Sequence, residues 1–164
     1  MLREVKLLKF LTTKKRKNFF KKNKRRLVKD VWINNVIAIQ RGKKHPNRFI
    51  IMSGDIDSRV SDPYDYTSPS PGANDNASGM AGVIEAAHVL SKYRFENSII
   101  YIGLSGEEQG LHGSREYVHK HFGNPNDPKI GKKKEYDKFS AYFNQDYGPG
   151  QYRGIFLQEN EHVR

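Results

Sequence analysis

The chain contains no cysteine. Disulfides, thiolate metal sites and a cysteine nucleophile are therefore excluded. No stretch approaches the run of about 20 apolar residues that a membrane-spanning helix needs. The opening MLREVKLLKFL does not read as a signal peptide, because Lys6 and Lys9 cut its apolar stretch and no small-residue cleavage site follows. Most of the chain also lacks a charge bias. The formal net charge of +11 arises within residues 1–30, which carry 13 of the 29 Lys/Arg but only Glu4 and Asp30 of the 18 Asp/Glu. The remainder is electrically balanced.

That division suggests two parts. Residues 1–30 read as a basic, partly helical and flexible leader. Its charge would suit nucleic acid or an anionic surface. No aromatic or glycine motif of an RNA-binding module accompanies it, so a solvated leader is preferred over a nucleic-acid contact. Residues 31–164 form the body. A chain of 164 residues with 36% hydrophobic and 12% aromatic content can bury the core of one domain.

Within the body, VIAIQ (36–40) and RFIIM (48–52) have strand character. The turn RGKKHPN between them suggests that they pair as a hairpin. Residues 55–76 are loop-like, with Pro63, Pro69 and Pro71. Val83, Ile84, Ala87 and Leu90 recur at helical spacing and predict a helix over 78–92, capped by Asn76 or Ser78. SIIYIGL (98–104) is an unbroken apolar run, as expected of a central strand buried on both faces. A second helix is expected over 111–122, a polar loop over 123–138, and strands at AYFN (141–144) and GIFLQ (154–158). Strands interleaved with helices predict an α/β fold, a mixed and mostly parallel sheet flanked by helices.

Acidic residues cluster in Gly/Ser/Asn-rich segments beside these apolar runs. They are Asp55 and Asp57 in SGDIDS, Asp75 in PGANDNASG, Glu107 and Glu108 in LSGEEQG, and Asp146 in FNQDYG. In open α/β sheets ligands collect at the carboxyl ends of the strands, where Asp55, Glu107, Glu108 and Asp146 are expected. Taken singly, each segment also suits a turn or a helix cap, and Asp75 could cap the following helix. Taken together, they resemble the parts of a metal-dependent hydrolase. Such a site needs carboxylates that hold the ions and another that accepts a proton from water. Adjacent side chains at Glu107 and Glu108 can divide those tasks.

NVIAIQRG, SGDIDS, PGANDNASG, GLSGEEQGLHGS and YFNQD together resemble the M28 family of zinc-dependent peptidases, of the bacterial aminopeptidase type. The resemblance covers roughly residues 34–161, and Asp75 and Glu107 stand 32 positions apart. It implies a mixed α/β sheet covered by helices, two zinc ions at the strand ends and a peptide substrate. By motif, Asp75 would be the bridging ligand, Glu108 and Asp146 would ligate one metal each, and Glu107 would be the general base. Asp57 would be a supporting acid. Asp55 stands where the family usually has a histidine ligand. An all-carboxylate set is harder in character, which makes manganese or cobalt plausible beside zinc. The family's last histidine ligand falls downstream of Asp146 on a segment this chain lacks, so a C-terminally truncated catalytic domain is expected. His45, His88, His112, His119, His121 and His162 are not expected to replace it. Two other readings follow from the same features. One is a dipeptidase- or carboxypeptidase-type member, suggested by the Gly-rich stretch NQDYGPGQYRGIFLQ. The other is a non-catalytic binding module, suggested by Asp55, the missing histidine and the basic leader. Family members are typically secreted or periplasmic, but no residues here assign a location.

Overall fold

The computed structural model describes residues 6–7, 11–14, 32–62, 65, 67–146, 148, 150–151 and 153–157. The elements are β1 (Lys6–Leu7), β2 (Leu11–Lys14), β3 (Trp32–Gln40), β4 (His45–Asp55), α1 (Gly79–Leu90), β5 (Asn97–Leu104), α2 (His112–His121), β6 (Gly123–Asn124), β7 (Gly131–Lys132) and β8 (Phe139–Asn144). Six strands form a mixed sheet in the order β1-β3-β5-β4-β8, and β2 also pairs with β3. β5, β4 and β8 run parallel to one another, whereas β3 is antiparallel to β5. Among the described residues, no helix is long and apolar enough to cross a membrane.

The apolar run of β5 explains why it lies at the centre. Every residue from Ser98 to Leu104 is buried. Strand alternation sends Ile99 and Tyr101 to one face and Ile100, Ile102 and Leu104 to the other. Ile99 and Tyr101 pack with Val83 of α1, joined by Ala87, Leu90 and Met52. Ile100, Ile102 and Leu104 pack with Ile37, Phe49 and Ile51 and with Tyr117 and Phe122 at α2. Each fully buried side chain of this kind contributes about 1.5–3 kcal/mol, so the two helices are held mainly through β5 and its neighbours.

The expected hairpin of 36–40 with 48–52 does not form. Both segments are strands, but β5 inserts between them, pairing Ala38 with Tyr101 on one side and Met52 with Tyr101 on the other. The connecting turn instead binds the segment leading into β5. Lys43 N–H donates to Phe95 O at 2.8 Å and His45 N–H to Glu96 O at 2.8 Å. Gly42 lies so close to the backbone of Glu96, Asn97 and Ser98 that a Cβ would not fit.

Three further expectations are corrected. The polar stretch 123–138 is not all loop, since β6 and β7 pair antiparallel within it and a 3-10 turn covers Tyr136–Lys138. GIFLQ is not a strand over its described residues 154–157, where Ile155 and Phe156 are exposed and no described strand pairs with them. In the basic leader the described residues are strands rather than helix, because β1 and β2 both pair antiparallel with β3. The other residues of the leader lie outside the described set.

Candidate metal centre

The parallel strands bring their carboxyl ends to one rim of the sheet. Asp55 is the last residue of β4, Glu107 and Glu108 follow β5, and Asp146 follows β8. Asp75 reaches the same rim from the irregular turn Ala73–Ser78 that leads into α1. The Asp75–Asn76 peptide bond is cis. Carboxylate oxygens of Asp55, Asp75 and Asp146 lie within 4.8 Å of one another. Glu107 and Glu108 stand outside this group of three.

Asn76, expected from the sequence only as a candidate helix cap, organises the group. It is 1% exposed. Its Nδ2 donates to Asp55 Oδ1 at 2.9 Å and to Gln145 O at 3.0 Å. Its Oδ1 accepts the Gly79 N–H at 3.2 Å, which caps the start of α1. Asn76, and not Asp75, therefore caps the helix. Gln145 N–H in turn donates to Ser53 O at 2.8 Å, which fixes the segment after β8 to β4 just before Asp146. Gly79 has no room for a side chain, because a Cβ there would meet Asn76 Oδ1 and the Gln145 carbonyl.

The second part of the rim is the turn that carries Glu107 and Glu108. Asp57 Oδ1 accepts the Glu107 N–H at 3.0 Å, and Asp57 Oδ2 accepts the Glu108 N–H at 3.3 Å. From behind, the buried Asn35 of β3 accepts the Ser105 N–H at 3.0 Å and donates to Gly113 O at 2.9 Å. Gly106, at φ 72°, and Gly110, at φ 120°, supply the left-handed backbone that this tight turn requires. Glu108 Oε2 lies 2.5 Å from Arg59 Nε, so its carboxylate is held by a guanidinium from the loop after Asp57. Nothing in the residue pattern marks Asn35 as a brace or Arg59 as a partner of Glu108. A polar residue inside the apolar strand β3 was the one available hint for Asn35.

The electrostatics are strained toward negative charge. Burial pushes the Asp55 carboxyl above its ordinary value, with smaller contributions from the Asp146 and Asp57 charges, against the lowering effect of its hydrogen bonds. Burial likewise raises Glu107, helped by the charges of Asp55, Glu108, Asp146 and Asp57. Asp55 is 4% exposed, and its Oδ2 is buried without a hydrogen-bond partner. An unmatched buried carboxylate oxygen is costly, and a cation relieves that cost. Converging oxygen ligands with a buried oxygen still to be satisfied fit a divalent ion such as zinc, manganese or cobalt.

No described histidine belongs to the converging acidic group. His88 is exposed and 3.3 Å from Glu85, and His121 bonds Glu135 at 2.6 Å away from the rim. His162 lies outside the described residues. Beside the acids, a cleft of about 460 Å³ runs between the Asp55–Ser58 segment and α1, lined on its apolar side by Ile56, Met80 and Ile84.

A family model described as peptidase family M28 matches residues 35–162. A probable zinc metalloprotease of Leptosphaeria maculans is 51% identical over 84 residues, covering 51% of this chain and 20% of that protein. A probable zinc metalloprotease of Pyricularia oryzae is 45% identical over 84 residues, covering 51% of this chain and 17% of that protein. Among solved structures, a zinc aminopeptidase from Bacillus subtilis superposes with a TM-score of 0.54 at 28% identity, covering 70% of this chain and 24% of that one. An aminopeptidase from Aneurinibacillus sp. strain AM-1 superposes with a TM-score of 0.56 at 29% identity, covering 73% of this chain and 25% of that one. The chain thus spans about a fifth of the length of the curated relatives it matches.

Proposed function

Since the chain belongs to peptidase family M28, we propose that it carries most of the metal site of a metal-dependent exopeptidase of the aminopeptidase type, acting on peptides. The observation that carries this reading is the convergence of carboxylate oxygens of Asp55, Asp75 and Asp146 within 4.8 Å, with Oδ2 of Asp55 buried and without a hydrogen-bond partner. Asp55, Asp75, Glu108 and Asp146 would hold the metal, with Asp75 shared between two ions. The relatives are described as zinc metalloproteases and a zinc aminopeptidase, so zinc is the first metal to test. Manganese or cobalt would suit the carboxylate at position 55.

Zinc bound at such a site supplies Lewis-acid polarisation of a carbonyl and acidifies water. The chain's own residues do the rest. Glu107 accepts a proton from the attacking water as hydroxide adds to the peptide carbonyl carbon. It returns that proton to the nitrogen as the C–N bond breaks, leaving a carboxylic acid and a free amine. The raised Glu107 carboxyl is a stronger base, which favours the step in which it accepts the proton. Asp57 keeps Glu107 in place through its backbone N–H. Ile56, Met80 and Ile84 offer an apolar wall beside the acids.

The test is Glu107→Gln. Peptide hydrolysis should vanish while zinc content stays near that of the wild type. Loss of zinc from this variant would remove Glu107 from the role of base. A non-catalytic binding module is favoured by one observation, the engagement of Glu108 by Arg59. Metal content separates the two readings: tightly held metal supports an enzyme, and a protein that holds none supports the module.

A further inference from the structure

We infer that Tyr142 and Asn144 are positioning residues of the acidic site: with Ser53 they lock β8 to β4 and so set the spacing of Asp146 from Asp55. The inference rests on the metallopeptidase reading above and adds to it the side chains that hold two of its proposed ligands in register.

The lock centres on Ser53, which is fully buried. Ser53 lies two residues before Asp55 on β4, so strand alternation places both side chains on one face of the sheet. The ladder sets Ser53 opposite Asn144 and Ile51 opposite Tyr142. Side chains then join across that register. Ser53 Oγ donates to Asn144 Oδ1 at 2.8 Å, and the Tyr142 hydroxyl lies 2.7 Å from Ser53 Oγ and 3.2 Å from Asn144 Oδ1. A serine hydroxyl has one proton, and here it goes to Asn144, so Tyr142 is the donor to Ser53 Oγ. The Ser53 carbonyl also accepts the Gln145 N–H at 2.8 Å. One residue of β4 therefore holds the side chain of Asn144 and the backbone of Gln145, and Asp146 is next in the chain.

A fixed point of this kind is needed where it stands. β8 ends at Asn144, so Asp146 lies past the regular ladder. The β4–β8 pairing is also irregular between Phe49 and Ile50, at the end away from the acids. Apolar packing is non-directional and sets strand position less sharply than hydrogen bonds between named atoms. A metal-binding constellation must be held to within about 0.5 Å, and its supporting groups supply that precision. Burial pushes the Tyr142 phenol up against the effect of its Ser53 hydrogen bond, and the Asp55 charge raises it further. The hydroxyl is thus within electrostatic reach of the acid whose neighbour it braces.

The experiment measures zinc affinity of the full chain by calorimetry and the visible absorption of its cobalt-loaded form, which reports ligand geometry. Tyr142→Phe removes the hydroxyl and keeps a ring that is 49% exposed, so the fold is little disturbed. Zinc affinity should fall by about tenfold, the low end for loss of a supporting partner at a metal site, and the cobalt spectrum should change shape. Asn144→Ala should act in the same direction. Phe143→Leu alters the opposite face of β8 and is the control: it should leave affinity and spectrum unchanged. Urea melts of each variant separate a change at the site from a general weakening of the fold. If Tyr142→Phe and Asn144→Ala leave affinity and spectrum unchanged, or Phe143→Leu shifts them equally, the inference is overturned while the metallopeptidase reading stands. A wild-type chain that binds neither zinc nor cobalt overturns both.

Discussion

Asn76 and Asp55 form one unit at the rim: Nδ2 of the carboxamide donates to Asp55 Oδ1 at 2.9 Å, leaving Oδ2 of the same carboxylate buried and unmatched. One hydrogen bond orients the acid, and the other oxygen is kept for a different partner. Because Asn76 also bonds Gln145 O and Gly79 N–H, the same side chain links β4, the segment after β8 and the start of α1. Asp55 ends the first of these, Asp146 follows Gln145 on the second, and Asp75 directly precedes Asn76 in the turn that leads into the third.

Asn76→Ala should therefore weaken both the fold and the acidic group. Truncation leaves the Gln145 carbonyl and Gly79 N–H without their partner in a buried place, at about 1–3 kcal/mol for each unsatisfied group. Urea unfolding should show a clear fall in the midpoint, and zinc affinity should fall with it. A variant with unchanged stability and unchanged metal affinity would show that Asn76 organises nothing.

Asp57 touches the site differently, through the backbone of Glu107 and Glu108. Asp57→Asn keeps one acceptor oxygen but loses the charge and the second acceptor. Supporting residues of this kind typically cost 10–100-fold when altered, so hydrolysis should fall by about that factor. Thermal stability should fall by less than for Asn76→Ala, and zinc binding should persist, since Asp57 is not one of the three converging acids. An effect confined to metal content would contradict a role in holding the turn.

How much of this was legible in the sequence depends on the kind of interaction. β5 could be read because seven consecutive buried positions leave an unbroken apolar run. Its neighbours could not, because two apolar strands joined by a short turn satisfy a hairpin as readily as a pair split by a third strand. The deciding bonds, from 43 and 45 to the carbonyls of 95 and 96, come from backbone atoms that any residue type possesses. Likewise, acids in glycine turns after apolar runs marked the rim. Which of them converge was not marked, because the Arg59 contact with Glu108 depends on how a loop of 21 residues from Asp55 to Asp75 returns to the sheet. GIFLQ shows the converse error: apolar composition suggested a strand, yet over 154–157 no described neighbour is there to pair with it.

The core makes a prediction independent of the metal site. Burial pushes the Tyr101 phenol up to about 12, and the hydroxyl donates to Gln40 Oε1 at 3.0 Å. Tyr117 is also pushed up to about 12, by burial first and the Glu135 charge second. An unfolded tyrosine titrates near pH 10. Between about pH 10 and pH 12 the unfolded chain has thus lost protons that the folded chain keeps, so stability is full below pH 10 and falls as pH rises through this window. Tyr101→Phe removes one of the two groups. At pH 8 it should cost about 1 kcal/mol for the lost hydrogen bond to Gln40. Above pH 10 its stability should decline less steeply than that of the wild type, so the two curves approach each other. Denaturant melts at pH 8, 10 and 11 measure this, and parallel declines would mean that the Tyr101 phenol ionises as easily in the folded protein as in the unfolded chain.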